Sequence, residues 1–461
     1  MPRHFDLCII GTGSGNSILG PEFNDWDVAM VERGAFGGTC LNRGCIPSKM
    51  LIYPADLVEL IRHTDRLGVK ASVDSVRWTE IRDRTFGRID PIAAGGRTYR
   101  LGLPNVTVFE RDARFVGYKE LQVGDETITA DRFVLAAGAR SHMPPIAGID
   151  EVGAHTSDTI MRIDRVPDRL TILGSGFIAA ELGHVFESFG AAVTIVTRGP
   201  GVLRQEDPAV SERVTQAFSH RFDLVTHATP TSARREGHEI VIQVDTPTGP
   251  RSIRSDELLV ATGRIPNGGQ LGVERTGVEL DAEGYVRTDD TLQTAVEGIW
   301  ALGDIRNPLQ LKHAANHEAK VVAHNLSHPE SPRRVSEARI PHAVFTSPQV
   351  GAVGLTEPQA RHHGRPYVAV CKDYGATAYG WAMEDEVGFV KLLADTETRR
   401  LIGAHIVGAQ ASLLLQPLVQ AMAFDEPVDR VAREVFYPHP ALTEVIENAL
   451  IECAAALDAA G

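Results

Sequence analysis

The sequence predicts an α/β chain in which two Rossmann-like units are joined to a separate α+β domain at the C-terminus. Three observations carry this expectation. A buried strand at 5–10 (FDLCII) runs into a glycine cluster and reaches a second strand at 28–31, a βαβ unit of about 30 residues. The pattern returns near residue 170: strand LTIL, the cluster Gly174-Ser175-Gly176-Phe177-Ile178-Ala179, a helix, and strand VTIV ending at Val196. From about residue 335, strand-like runs precede two helical stretches, 411–424 and 442–457.

Length and composition agree. A chain of 461 residues suggests about three domains. A net charge of -14 argues against a general nucleic-acid or anionic-membrane binder, which needs a basic face. The start, Met1 to Asp6, shows no signal-peptide pattern. The most apolar long stretch, Leu401 to Phe424, contains His405, Gln410, Gln416 and Gln420, so it reads as buried strand and helix rather than a membrane span. A cytoplasmic location is the expectation. Five cysteines do not make a secreted disulfide framework.

Further echoes set the domain plan. Phe133 to Gly138 (FVLAAG) and Leu258 to Gly263 (LLVATG) each fall late in one unit, and Ile299 to Asp304 (IWALGD) follows the second. The expected divisions are 1–150 and 276–335 for the first nucleotide-binding domain, 151–275 for the second, and 336–461 for the C-terminal domain.

The glycine clusters suggest pyrophosphate binding. Gly11, Gly13 and Gly15, with Ser14 between, let the backbone turn sharply and approach a phosphate. A following helix then offers its N-terminal N–H groups. Glu32, at the end of the second strand, fits the acid that accepts from ribose hydroxyls. Asn16 stands where the last glycine would be, which weakens this motif; the second cluster, with Gly174, Gly176 and Ala179, strengthens the pair. In the second unit Thr197 replaces that acid, and Arg198 and Arg204 follow. Two guanidinium groups suit a 2′-phosphate, so NADPH is expected over NADH.

The most informative segment is Gly37-Gly38-Thr39-Cys40-Leu41-Asn42-Arg43-Gly44-Cys45-Ile46-Pro47-Ser48-Lys49. The cysteines are too close for a two-pair zinc site and no second CxxC exists, so no metal is expected. A pair at a helix start has its thiolate stabilised by the dipole and can cycle between disulfide and dithiol.

This segment resembles the GGTCxNxGCxPxK signature of the class I pyridine nucleotide-disulfide oxidoreductases, and the similarity spans essentially the whole chain. The resemblance implies FAD in the first domain, a C-terminal dimerisation domain, and homodimers whose active sites are shared. It implies that Cys40 attacks the substrate disulfide and Cys45 lies against the flavin. Lys49 is similar to the lysine beside the flavin, paired with an acid that is here Glu181. Asp304 matches the acid that binds the FAD ribityl chain. Phe177 stands where several relatives carry a tyrosine lid. His439-Pro440-Ala441-Leu442-Thr443-Glu444 is similar to the family's HPxxxE, which implies His439 as acid–base and Glu444 as its orienting partner. Reducing equivalents would pass from NADPH through FAD to the cysteine pair, and then to a small disulfide.

Several stretches resemble the mycothione-reducing branch: GTGSGNSI (11–18), GRIDPIA (87–93), HTSDTIMRI (155–163), GSGFIAAE (174–181), LKHAANHEA (311–319), YGWAMED (379–385) and HPALTEVIENAL (439–450). The implied substrate is mycothione, the disulfide of a sugar-based thiol. Glutathione disulfide and lipoamide are the alternatives; a flavin redox sensor of low turnover is the alternative of another class. The stretch from Asn16 to Asp27 reads as an unusually short first helix.

Overall fold

Strand Arg3–Ile10 (β1) is buried from Leu7 onward, as a parallel strand covered on both faces must be. The computed structural model describes residues 2–460. Beside β1 runs β2 (Val28–Val31), and β3 (Val106–Phe109) runs beside β2, both parallel. On the other flank, β4 (Ala113–Gly117) and β5 (Glu120–Val123) form a hairpin that pairs with β6 (Glu126–Leu135), and β6 is parallel to β1. The order is β3-β2-β1-β6-β5-β4. Strand Ile299–Ala301 then pairs parallel with the Phe133–Leu135 end of β6. The chain thus leaves this sheet and returns to it after the second unit.

A second, four-stranded parallel sheet holds Arg169–Leu173, Ala192–Val196, Asp223–Val225 and Glu257–Val260. Strands Ala139–Ser141 and Arg264–Pro266 pair antiparallel where the chain crosses between the two units. The C-terminal sheet has five antiparallel strands, and the helix Thr443–Ala460 contributes Val445, Ile446 and Leu450 to its core.

The helices that matter here are α1 (Gly38–Arg43), α2 (Cys45–Arg62), α3 (Trp78–Leu101) and α4 (Phe177–Ser188). One apolar core joins α2, α3, α4, the second sheet and the C-terminal sheet: Leu51, Phe86, Ile172, Phe186, Phe389 and Val407 all belong to it. Interior packing of this kind resists small displacements, so the site that these helices carry is held firmly. Among the described residues, no helix is long and apolar enough to cross a membrane.

The two glycine clusters differ in one respect. After the second, α4 forms over twelve residues. After the first, the chain makes only short 3₁₀ turns, Ser14–Ser17 and Pro21–Phe23. Asn16, Ser17, Gly20 and Asn24 are weak helix formers, and Pro21 disfavours the helical conformation at Gly20. The expected helix dipole behind the first loop is therefore absent.

Candidate active site

The duplication is visible at two backbone positions. Gly11 has φ +104°, and a Cβ there would meet the Ala136 carbonyl oxygen at 2.3 Å; Gly174 has φ +115° and would meet the Ala261 oxygen at 2.2 Å. Only glycine fits either place. Gly138 and Gly263, which close the FVLAAG and LLVATG blocks, also have positive φ. The cysteine loop is tied to the first cluster, since a Cβ on Gly38 would meet the Gly13 Cα at 2.6 Å.

A cavity of about 760 Å³ opens above these loops. Gly11, Gly13, Ser14 and Glu32 line one end; Thr39, Cys40, Cys45 and Lys49 line the middle; Gly138 and Asp304 complete the wall. Phe177, Ile178 and Glu181 from α4 close the side toward the second unit, with Phe177 47% exposed. Gly15 lies beneath, where a Cβ would meet the Ala136 Cβ at 2.8 Å. Gly174, Gly176, Gly263, Arg198 and Arg204 lie outside this lining, along the second sheet.

Glu32 is held by the loop it serves. Its carboxylate accepts from the Thr12 amide at 2.9 Å, the Thr12 hydroxyl at 2.7 Å and the Gly34 amide at 2.8 Å. Asp304 is different. Burial pushes its carboxyl above the usual range, and among the described residues no other residue donates a hydrogen bond to it. A half-buried acid facing a cavity without a donor suits a hydroxylated ligand.

The cysteines fall on two helices. Cys40 lies within α1, Cys45 is the first residue of α2, and Gly44 breaks the helix between them. Both are free thiols. Cys40 is the third residue of its helix, so both cysteines stand in a first helical turn. A hydrogen bond from the Cys40 thiol, joined by the charge of Lys49, lowers the Cys45 pKa to about 7; that same bond, with burial, pushes Cys40 up. The pair is thus built to hold one thiolate, on Cys45.

Lys49 Nζ contacts both oxygens of Glu181, at 2.7 and 2.6 Å, and lies over the Phe345 ring. The Phe345 amide also donates to Glu181 at 3.0 Å. Arg198 and Arg204 are exposed, and among the described residues neither has a carboxylate partner within 4.0 Å. Thr197 is buried; its hydroxyl meets Ser175 in the second glycine cluster at 2.9 Å.

His439 is not brought to the cavity of its own chain. Its Nδ1–H donates to Glu444 Oε1 at 2.6 Å, which leaves Nε2 outward on a side chain 72% exposed. Phe436, three residues earlier, is 99% exposed. A histidine oriented by a carboxylate, with a fully exposed phenylalanine three residues before it, is a site awaiting a second surface.

Sequence reasoning missed one residue of the site and one that supports it from behind. Lys312 lines the cavity and donates to the Ser14 hydroxyl at 2.9 Å. It is the first residue of the helix Lys312–Ser327, where a cation opposes the dipole, and that misfit was its signal. Buried Arg100 donates to the Asn16 side chain at 2.7 Å, so Asn16 substitutes for a glycine by taking a partner.

The sequence pattern of the pyridine nucleotide-disulphide oxidoreductases matches residues 5–319, and that of their dimerisation domain matches residues 340–450. The chain belongs to the pyridine nucleotide-disulphide oxidoreductases. It is similar to mycothione reductase of Mycobacterium tuberculosis (strain H37Rv), 45% identical over 97% of this chain and 99% of the relative. Mercuric reductase of Staphylococcus aureus is 30% identical, over 97% and 82%. Dihydrolipoyl dehydrogenase of Haloferax volcanii is 31% identical, over 96% of each. Among solved structures, the HOCl-induced flavoprotein disulfide reductase RclA from Escherichia coli superposes with a TM-score of 0.84 at 25% identity, covering 97% of this chain and 99% of that one.

A pyridine nucleotide-disulphide oxidoreductase takes FAD and NAD(P)H as cofactors, and the residues here fit both. The cradle of Gly11 and Gly38 has no room for side chains, Asp304 lacks a donor, and the volume suits an extended cofactor.

Proposed function

We propose that this oxidoreductase is an NADPH-dependent mycothione reductase. The end-to-end identity of 45% with mycothione reductase of M. tuberculosis carries this reading. Exposed Arg198 and Arg204, with no acid at Thr197, support NADPH as the donor.

The chain's own residues divide the work. Gly11, Gly13, Ser14, Gly15, Glu32, Thr39, Gly138, Lys312 and Asp304 hold FAD. Gly174, Gly176, Phe177, Ile178 and Gly263 shape the NADPH side, with Phe177 as an aromatic plug over the nicotinamide place. FAD, when bound, supplies the two-electron relay between the nicotinamide and the cysteine pair. Lys49 and Glu181 fix α2 against α4 beside that relay.

With the pair reduced and its one thiolate on Cys45, His439 Nε2 takes the Cys40 thiol proton as the Cys40 sulfur attacks one sulfur of the substrate disulfide. The first thiol leaves with a proton delivered by His439 Nε2, its imidazole held by Glu444. The Cys45 thiolate then attacks Cys40 in the mixed disulfide, the second sulfur leaves as a thiolate that takes one proton from water, and the Cys40–Cys45 disulfide returns. One disulfide, one NADPH and one proton give two thiols and NADP⁺. His439 acts on the pair of the partner subunit in a homodimer. Two half-reactions of this kind predict ping-pong kinetics.

The test is NADPH oxidation with mycothione, glutathione disulfide and lipoamide in parallel, with NADH as a second donor. Turnover of mycothione far above the others is expected. Turnover of another disulfide would replace the substrate and keep the chemistry; flavin reduction without turnover of any would favour a redox sensor.

A further inference from the structure

The loop from Thr197 to Asp207 carries both arginines of the proposed 2′-phosphate clamp, and its far end is bolted to the C-terminal sheet. Strand register sets His342, Ala352, His405 and Lys391 opposite one another across four strands. Directly paired residues project from the same face, so these form one rung facing the loop. Glu206 accepts from His342 Nε2 at 2.8 Å. Asp207, whose side chain is fully buried, accepts from Lys391 Nζ at 2.8 Å and from the Glu357 amide at 2.8 Å.

The middle of the loop is also constrained. Leu203 has φ +52°, a conformation that a leucine keeps only where its surroundings over-determine it. Its amide donates to the Ser175 carbonyl at 2.8 Å, inside the second glycine cluster. Arg204 follows, and its side chain lies over Gly199, where an added Cβ would meet it at 2.5 Å. Arg204 therefore sits between a strained residue on one side and two anchored acids on the other.

Asp207 alone could cap the helix Pro208–Ser219, since it accepts from the Ala209 amide at 3.0 Å. A cap does not need a buried lysine, and burying an ion pair carries a large desolvation cost. The extra restraint has its effect on the loop. We propose that Glu206 and Asp207, gripped by His342 and Lys391, are positioning residues that set Arg204 for the 2′-phosphate, so that the C-terminal sheet governs the selectivity for NADPH over NADH. This rests on the arginine clamp proposed above.

The test uses the FAD-bound enzyme and the partly exposed pair, so that the buried pair and the fold stay intact. Glu206→Gln and His342→Leu are compared with the parent for binding of 2′,5′-ADP, which carries the 2′-phosphate, and of 5′-AMP, which lacks it. Each variant should lose about tenfold in 2′,5′-ADP affinity, with 5′-AMP changed by less than about twofold. KM for NADPH should rise while kcat and the NADH parameters hold, and Glu206→Asp should recover part of the loss. The double variant should be no worse than either single, because both remove one interaction. Unchanged 2′,5′-ADP binding in both variants overturns the proposal. Arg204→Ala, run alongside, tells which part failed: if it narrows the NADPH preference, only the positioning claim falls; if it does not, the clamp falls and the positioning claim with it.

Discussion

Lys49 Nζ stands 2.7 and 2.6 Å from the two carboxylate oxygens of Glu181, each residue four positions into its helix. The first residues of those helices are Cys45 and Phe177, so one ion pair sets the spacing between the thiol pair and the residue closing the nucleotide side. The two partners are unequally exposed: 36% of the Lys49 side chain is accessible and 6% of Glu181.

That inequality predicts an asymmetric response. Lys49→Met strands a buried carboxylate with one amide donor, and should cost about 3 kcal/mol of stability. Glu181→Gln leaves a lysine that water can reach, and should cost about 1 kcal/mol. Denaturant unfolding of the FAD-bound protein measures both; equal losses would mean that burial of Glu181 does not control the pair.

The shared thiol hydrogen gives a pH dependence with a definite sign. In the reduced protein Cys45 should become a thiolate as pH rises through about 7, below the ordinary thiol value. A depressed pKa stabilises the fold above the ordinary thiol pKa, and that contribution is lost as pH falls through about 7. Cys40→Ala should raise the midpoint most, since the Cys40 hydrogen bond is the largest cause; Lys49→Met should raise it less. Thiolate absorbance against pH reads all three proteins, and a midpoint unmoved in Cys40→Ala would contradict the shared hydrogen.

Donor choice is the third expectation. Arg198→Ala combined with Arg204→Ala should narrow the NADPH-to-NADH ratio of kcat/KM by about a hundredfold, or about tenfold for each charge-assisted contact removed. An unchanged ratio would place 2′-phosphate recognition elsewhere.

Exposure of His439 away from its own cavity predicts complementation between subunits. Cys45→Ser and His439→Gln proteins should each be inactive alone. In a mixture, half the dimers are hybrids and each hybrid has one intact site, so about a quarter of parental activity should return. No recovery after subunit exchange would mean that each chain serves its own thiols.

The sequence was most legible where chemistry forces residue identity. Gly11, Gly174, Cys40, Cys45 and Lys49 stand in motifs because a close backbone approach or a redox pair tolerates no alternative. The strands were legible too, since apolar runs such as 28–31 are buried on both faces. The first helix was not: spacing after Gly11 matched a βαβ unit, and only the local weakness of Asn16 to Asn24 decided against it. Nor were Lys312 and Arg100, which reach Ser14 and Asn16 from far along the chain. Long-range contacts between single polar residues leave no periodic trace.

Electrons from NADPH should arrive at Cys40 and Cys45. The most direct measurement is to oxidise the enzyme, add NADPH without oxygen, alkylate, and locate the label by mass spectrometry. NADPH should make Cys40 and Cys45 newly reactive, while labelling of Cys8, Cys371 and Cys453 stays as it was. Labelling of Cys40 and Cys45 that is the same with and without NADPH, in enzyme whose flavin is reduced, would contradict it.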